Sequence, residues 1–378
     1  MRKRCLTAAL ILLLPLTSCR GDLLPRARDI TTVELMQVLA IDKGEGDKLR
    51  ITAASGVYSG GTGAEPKPPI VLTREAETVF AACMDIQSAP NGYASFSHVE
   101  QLIFSAEATR RSTAGLLDFL ERDPEMRLNT HAYVTQQETG ETLLQTLSEE
   151  DRTAAEQLEA IERELSVESL AWPVTVRELL IDLEDNGCAL LPVLTLDKEE
   201  ETPTLRCGTM GWFREDDFQQ SLTEEQSRAA ALLEGEMDTA AVEVNLDGGA
   251  LAGLRLTDCS CRWKPRWTGE RLTGFRPTLE VKADLAELQG QWNADAEQEK
   301  LRQAVETLLR EQVTELLKLS QRERCDFLHL QRRARVQCPG RYESIDQNWE
   351  RWFPALDLEP EVRCTVERSY DLTEGRAP

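Results

Sequence analysis

Hydrophobic positions change their spacing repeatedly along this chain, and each change marks an element. Val33–Ser55 (VELMQVLAIDKGEGDKLRITAAS) sets two apolar runs on either side of a Gly/Asp-rich turn, which predicts a β-hairpin. In Thr73–Gln87, residues Ala76, Val79, Phe80, Cys83 and Met84 fall at helical spacing, so that face is expected to pack on the hairpin. A strand (Ser97–Ser105), a helix (Glu107–Asp123, with Leu116, Leu117 and Leu120 on one side) and another strand (Arg127–Thr135) follow. Asp123-Pro124 ends that helix, because the residue before a proline is pushed out of the α region.

The same reading carries to the C-terminus. Val174–Gly187 reads as a helix closed by Gly187, Cys188–Asp197 and Leu205–Glu215 as strands, and Ser221–Glu236 as a helix with Ser221 and Glu224 at capping-box spacing. Val242, Val244 and Leu246 alternate, as do Cys259, Cys261 and Trp263, and then Leu279, Val281, Ala283 and Leu285, which predicts three antiparallel strands. A long helix with Leu301, Val305, Leu308, Leu309, Leu316 and Leu317 on one face precedes a last strand carrying Val362, Cys364 and Val366. The expected class is α+β: three consecutive mixed α/β domains with largely antiparallel sheets, spanning 29–140, 173–238 and 239–378, with a helical connector over 141–172.

Ahead of these elements the pattern differs. Arg2, Lys3 and Arg4 precede a mostly apolar run, Leu6–Leu16, in the charged-then-apolar order of a secretion signal. The run is shorter than the ~20 apolar residues a spanning helix needs. Leu16-Thr17-Ser18-Cys19 has the form of a bacterial lipobox, an aliphatic residue and two small ones before the thiol that receives a diacylglycerol. Residues 1–18 are therefore expected to be removed, Cys19 to carry lipid, and 19–28 to act as a tether. A two- or three-chain anchor holds stably, since each buried CH₂ contributes ~0.8 kcal/mol and a single chain is marginal.

Charge excludes some partners. The formal net charge is −23, and it becomes more negative once Arg2, Lys3 and Arg4 are removed. Such a surface repels phosphate backbones and anionic headgroups, so nucleic-acid binding is excluded, and membrane attachment falls to the lipid on Cys19. Of the ten cysteines, Cys5 leaves with the signal and Cys19 is the lipid site; the other eight (Cys83, Cys188, Cys207, Cys259, Cys261, Cys325, Cys338, Cys364) show no repeated spacing. Cys259-Ser260-Cys261 is the one close pair, and His98, His131 and His329 lie far apart, so no metal site is expected. The glycines of Ser59–Pro69 lack the Gly-Lys-Ser/Thr of a phosphate loop. No Gly-x-Ser-x-Gly, Gly-x-Gly-x-x-Gly or His-Glu-x-x-His occurs, and the reading is of a non-catalytic protein without a cofactor.

The order of segments resembles the Ger(x)C lipoproteins, the C subunits of bacterial spore germinant receptors. The resemblance begins at the lipobox and continues in LAIDKGEGDKLRITA. It is most specific in SHVEQLIFS followed by LLDFLERDPEMRLNTHAYV, where His98, Asp118, Phe119, Arg122, Asp123, Pro124, Glu125 and Arg127 match that family's histidine-led strand and its Arg-Asp-Pro-Glu turn. It returns in GWFREDDFQQSLTEEQSRAAALLEGE and in the tail, where Asp326, Phe327, Trp349, Trp352, Phe353 and Pro354 keep the family's order. Two departures stand out. Ser18-Cys19-Arg20-Gly21 replaces Gly-Cys-Trp-Asp, which removes a tryptophan expected beside the membrane, and Ala40-Ile41-Asp42 replaces Gly-Ile-Asp.

The resemblance implies a three-domain lipoprotein on the outer face of the spore inner membrane. It would assemble with an integral-membrane A subunit and a transporter-like B subunit to trigger germination, without catalysis. His98, Arg122, Asp123, Glu125 and Arg127 are its candidate partner contacts. A plain structural account stands beside that role, because Arg122 can pair with nearby acids and Asp123-Pro124 sets a helix end. Trp349 and Trp352 read as core cover. The alternative function is the solute-binding lipoprotein of a membrane importer, which the alternating, antiparallel third unit disfavours.

Overall fold

The computed structural model describes residues 33–56, 68–88, 93–111, 113–148, 152–165, 170–198, 203–215, 217–290 and 298–367. The signal 1–18, the tether 19–28 with Cys19, and most of the Ser59–Pro69 loop lie outside the described residues.

The expected hairpin is present: β1 (Val33–Lys43) and β2 (Leu49–Ser55) pair antiparallel around a turn closed by Gly44 N donating to Lys48 O at 2.9 Å. The next segment departs from the sequence reading. Its beginning is a strand, β3 (Val71–Ala76), antiparallel to β2, and helix α1 (Val79–Gln87) starts only after Thr78, whose side chain accepts from Ala81 N at 3.1 Å. The buried face of α1 is Val79, Ala82, Cys83 and Ile86, so Phe80 and Met84 point outward, against expectation. Two apolar stripes compete on this short helix, and the one centred on small residues fits closer to the sheet.

β4 (Tyr93–Ser95) and β5 (Gln101–Ser105) pair parallel with β1. Helices α2 (Ala106–Thr109) and α3 (Thr113–Arg122) cross to β6 (His131–Thr135), parallel to β5. The connector consists of α4 (Gly140–Ser148) and α5 (Ala154–Leu165). Helix α6 (Val176–Asn186) opens on a Thr175–Glu178 capping box and closes on Gly187 at φ 70°, a left-handed turn that glycine enters without a Cβ penalty. β7 (Cys188–Asp197) then pairs parallel with β6, through Val134–Val193 and Thr135–Leu194. β8 (Thr204–Arg214) and β9 (Asp217–Ser221) follow antiparallel.

The strands of the N-terminal and middle segments thus share one nine-stranded sheet, ordered β3-β2-β1-β5-β6-β7-β8-β9 with β4 beside β1. Its centre is parallel and its wings are antiparallel. Central strands are buried on both faces, so their apolar residues run on without alternation, as in Val38–Ile41 and Leu102–Phe104.

β10 (Ala240–Asn245), β11 (Leu251–Thr268) and β12 (Arg271–Gln289) form the expected antiparallel set of a second sheet. The long helix is α8 (Gln298–Arg322), followed by α9 (Leu330–Gln337), α10 (Tyr342–Trp352), a short β13 (Asp357–Leu358) and β14 (Glu361–Glu367), the last two parallel to β12. The class is α+β with mostly antiparallel sheets, as expected.

Between the sheets lies α7 (Glu224–Glu234), in contact with β8 on one side and with β11, β12 and α8 on the other. Its capping box is Thr223 with Gln226, and Ser221, expected at the cap, ends β9 instead. Ala229, Ala230, Ala231, Leu232 and Leu233 are all buried, and the small side chains let both sheets approach. Trp263 Nε1 fastens the second sheet here by donating to Leu233 O at 3.1 Å.

Candidate functional site

The Arg122–Arg127 turn follows from local chemistry. Asp123 N donates to Phe119 O at 2.9 Å as the last helical bond of α3, and Pro124 cannot supply the next donor. Asp123 Oδ1 instead accepts Glu125 N at 2.8 Å, and Met126 N reaches Asp123 O at 3.1 Å, which reverses the chain and buries Met126. Thr130 completes the return through its hydroxyl on Val99 O at 2.9 Å.

This turn borders a cleft of about 170 Å³ between α1 and α3, lined by Phe80, Met84, Tyr93, Phe96 and Phe119 together with Asp123, Pro124 and Glu125. Phe80 and Phe119 meet at 5.9 Å between ring centroids. Phe80 is 54% and Met84 45% exposed, so the cleft presents apolar surface to solvent with carboxylates at its edge. Of the five expected contact residues, the fold brings Asp123 and Glu125 to this cleft. His98, Arg122 and Arg127 are exposed but do not line it. Arg122 pairs with Asp118 at 2.8 Å across one helical turn in solvent, a contact contributing ~0–1 kcal/mol. Sequence reasoning missed Phe80 and Met84; the signal available was the second apolar stripe of α1.

A second cleft, of about 490 Å³, opens where the two sheets meet, and the tail motif converges on it: Asp326, Trp349, Phe353 and Pro354 are among its lining residues. Trp349 stacks on Phe353 at 5.5 Å, and Trp352 stands edge-on to Trp267 at 6.4 Å. Buried Asp326 accepts Leu330 N at 2.8 Å and Gln331 N at 2.9 Å, so its carboxyl caps α9. Burial outweighs these two bonds and pushes its pKa up to about 7. From α9, Arg332 reaches Asp182 at 2.8 Å, Arg333 reaches Glu234 at 2.6 Å, and Arg335 reaches both Asp185 and Asp346 at 2.5 Å. These ion pairs tie α9 to α6, α7 and α10.

One further titratable cluster lies on β6. Glu162 accepts from Tyr133 Oη at 2.8 Å and contacts His131 Nδ1 at 2.5 Å, and this partner raises the His131 pKa. The His131 ring and the Tyr133 hydroxyl thus converge on one carboxylate oxygen, Glu162 Oε1, within the protein. Among the described residues, no group of three or more His, Cys, Asp and Glu could hold a metal ion, and no helix is long and apolar enough to cross a membrane.

Fold and surface together define a two-sheet α+β protein whose shared motif residues fall on one exposed turn and on the junction between the sheets. Residues 26–196 match the family described as "Spore germination protein N-terminal domain", and residues 209–370 match "Spore germination B3/ GerAC like, C-terminal". The chain belongs to this spore germination family. Its fold is similar to a solved structure described as "Crystal Structure of the GerBC protein", with a TM-score of 0.57 and 14% sequence identity over 87% of this chain and 96% of that one. No curated protein gives a match.

Proposed function

We propose that this protein is the C subunit of a nutrient germinant receptor: a non-catalytic lipoprotein, anchored through Cys19 on the outer face of the spore inner membrane and bound to integral-membrane A and B subunits. The observation that carries the reading is the pair of germination-family matches, in order, across 26–196 and 209–370. The lipobox at Cys19 supports the anchor, and the exposed apolar cleft beside the Asp123-Pro124-Glu125 turn supports a protein-contact role, since such patches on a soluble surface mark partner sites.

The test is Cys19→Ala in spores. Cys19 lies ahead of the first packed strand, so the variant is expected to fold, to leave the membrane fraction and to weaken the nutrient response. A variant that stays membrane-bound after a salt wash, in spores lacking the A and B subunits, would overturn the anchor.

A further inference from the structure

Cys188 opens β7 and Cys325 follows α8, and the fold brings the chain segments around these two residues together at the junction of the sheets. The surrounding hydrogen bonds hold both chain segments in place. Asn186 Nδ2 donates to Asp326 O at 2.9 Å, while Asn186 Oδ1 accepts Cys188 N at 2.9 Å. Arg214, the β8 partner of Cys188, donates to Glu323 O at 3.3 Å. Cys325 Sγ lies 3.0 Å from Phe213 O, one residue along the same strand. Both thiols are free and buried at this same end of the β7–β8 ladder, where Cys188 is the register partner of Arg214 and the adjacent Phe213 carbonyl accepts from Cys325 Sγ. A disulfide forms only where two cysteines already face one another, and here backbone and side-chain bonds on both flanks fix that approach. The close sequence pair behaves differently: Cys259 Sγ donates to the backbone carbonyl of Thr257, two residues back along its own strand.

We infer that Cys188 and Cys325 are a covalent modification site, a disulfide that straps the second sheet to the first. The oxidant is a low-molecular-weight disulfide, RSSR. Cys188 is the entry point, because it lines the 490 Å³ cleft whereas Cys325 does not. Its thiol loses a proton and the thiolate attacks RSSR, giving Cys188–S–S–R and one RSH. The Cys325 thiol then loses its proton and attacks Cys188 Sγ, expelling the second RSH. Two protein thiols are oxidised to one disulfide and RSSR is reduced to two thiols. The closed loop contains α7, β10, β11, β12 and α8, so the bond restrains most of the second unit in the unfolded chain as well as the folded one. The inference stands on the junction geometry; the extracytoplasmic site proposed above is the kind of compartment in which such a bond persists.

The experiment uses the full chain in detergent, treated with oxidised glutathione, alkylated without denaturation, digested and mapped by mass spectrometry. The expected product is the Cys188–Cys325 cross-linked peptide, with a melting temperature raised by about 5–10 °C and restored by reductant. Cys188→Ala and Cys325→Ala should each abolish both changes. The map of the unaltered chain decides the matter even if a variant folds poorly: glutathione left on Cys188 unresolved, a different cysteine pair, or no cross-link at all would overturn the inference. None of these outcomes bears on the lipid anchor, whose test is separate.

Discussion

Arg127 shows how a single side chain separates a structural role from a contact role. Its backbone carbonyl accepts Thr130 N at 3.3 Å and so belongs to the turn, but its side chain is exposed and, among the described residues, makes no ion pair or hydrogen bond. Arg122 differs, because Asp118 already holds it. An exposed substitution without packed partners changes stability by less than about 0.5 kcal/mol, so Arg127→Glu should leave the melt of the protein nearly unmoved. In a chain of net charge −23, a cation is a feature that an acidic partner loop can select, and a like charge placed against such a loop costs several kcal/mol. The expected outcome in spores is loss of partner co-purification and of nutrient response at unchanged stability. A large fall in melting temperature would make Arg127 structural. The turn itself was legible, because Asp-Pro stops a helix by local sterics alone. Its apolar neighbours were not, since nothing in the spacing of Phe80 and Met84 says which stripe of α1 a distant strand will cover.

At the scale of elements, the start of α4 explains a departure from the family pattern. Asp42, at the end of β1, reaches across to accept Gly140 N and Glu141 N, both at 2.8 Å, and so caps the helix from another strand. Ala40, where the resembling sequences carry glycine, faces Gly140, and a Cβ added at Gly140 would lie only 2.5 Å from the Ala40 Cβ. One of these two positions must therefore lack a side chain, and this chain keeps its glycine at 140. Gly140→Ala should cost about 1–3 kcal/mol through overpacking, despite the ~0.5–1 kcal/mol that alanine normally contributes within a helix. Adding Ala40→Gly should recover most of the loss, and denaturant unfolding of the two single variants and the double variant would show it. Strictly additive effects would rule the contact out. Elements with their own start and stop signals, such as α6 between Thr175 and Gly187, were readable from the sequence. β3 and β9 were not: each is short, and Val71–Ala76 is strand only because β2 offers its edge.

Across the whole molecule, what the sequence concealed is how its units join. Segment periods placed the strands, but the β6–β7 pairing that makes one nine-stranded sheet rests on two residue pairs brought together by long-range register, and no local pattern encodes that. The junction with the second sheet is polar and titratable, and this gives the molecule a pH dependence. Asp326 sits at its centre, faced by His329 at the N-cap of α9 and Glu234 from α7, and burial pushes its pKa up to about 7. Burial alone would lower the His329 pKa, but the hydrogen bond and charge of Asp182, with Glu234 and Asp326, raise it. Both shifts act in one direction. In the unfolded chain the Asp326 carboxyl releases its proton near 3.8, while the folded chain keeps it to about 7. Between those values the folded state binds more protons, so its stability is greatest at the acidic end and declines as pH rises, by up to about 1.4 kcal/mol per pH unit for one group. Above 7 the Asp326 contribution is flat, and raised histidines extend the decline past their ordinary value of 6.5. Urea unfolding at about pH 5.5 and about pH 7.5 should therefore show a lower midpoint at the higher pH, and Asp326→Asn, which cannot titrate, should flatten the difference even though it weakens the α9 cap. A wild-type midpoint that climbs with pH across this range, or an Asn variant with the full wild-type slope, would remove Asp326 as the source.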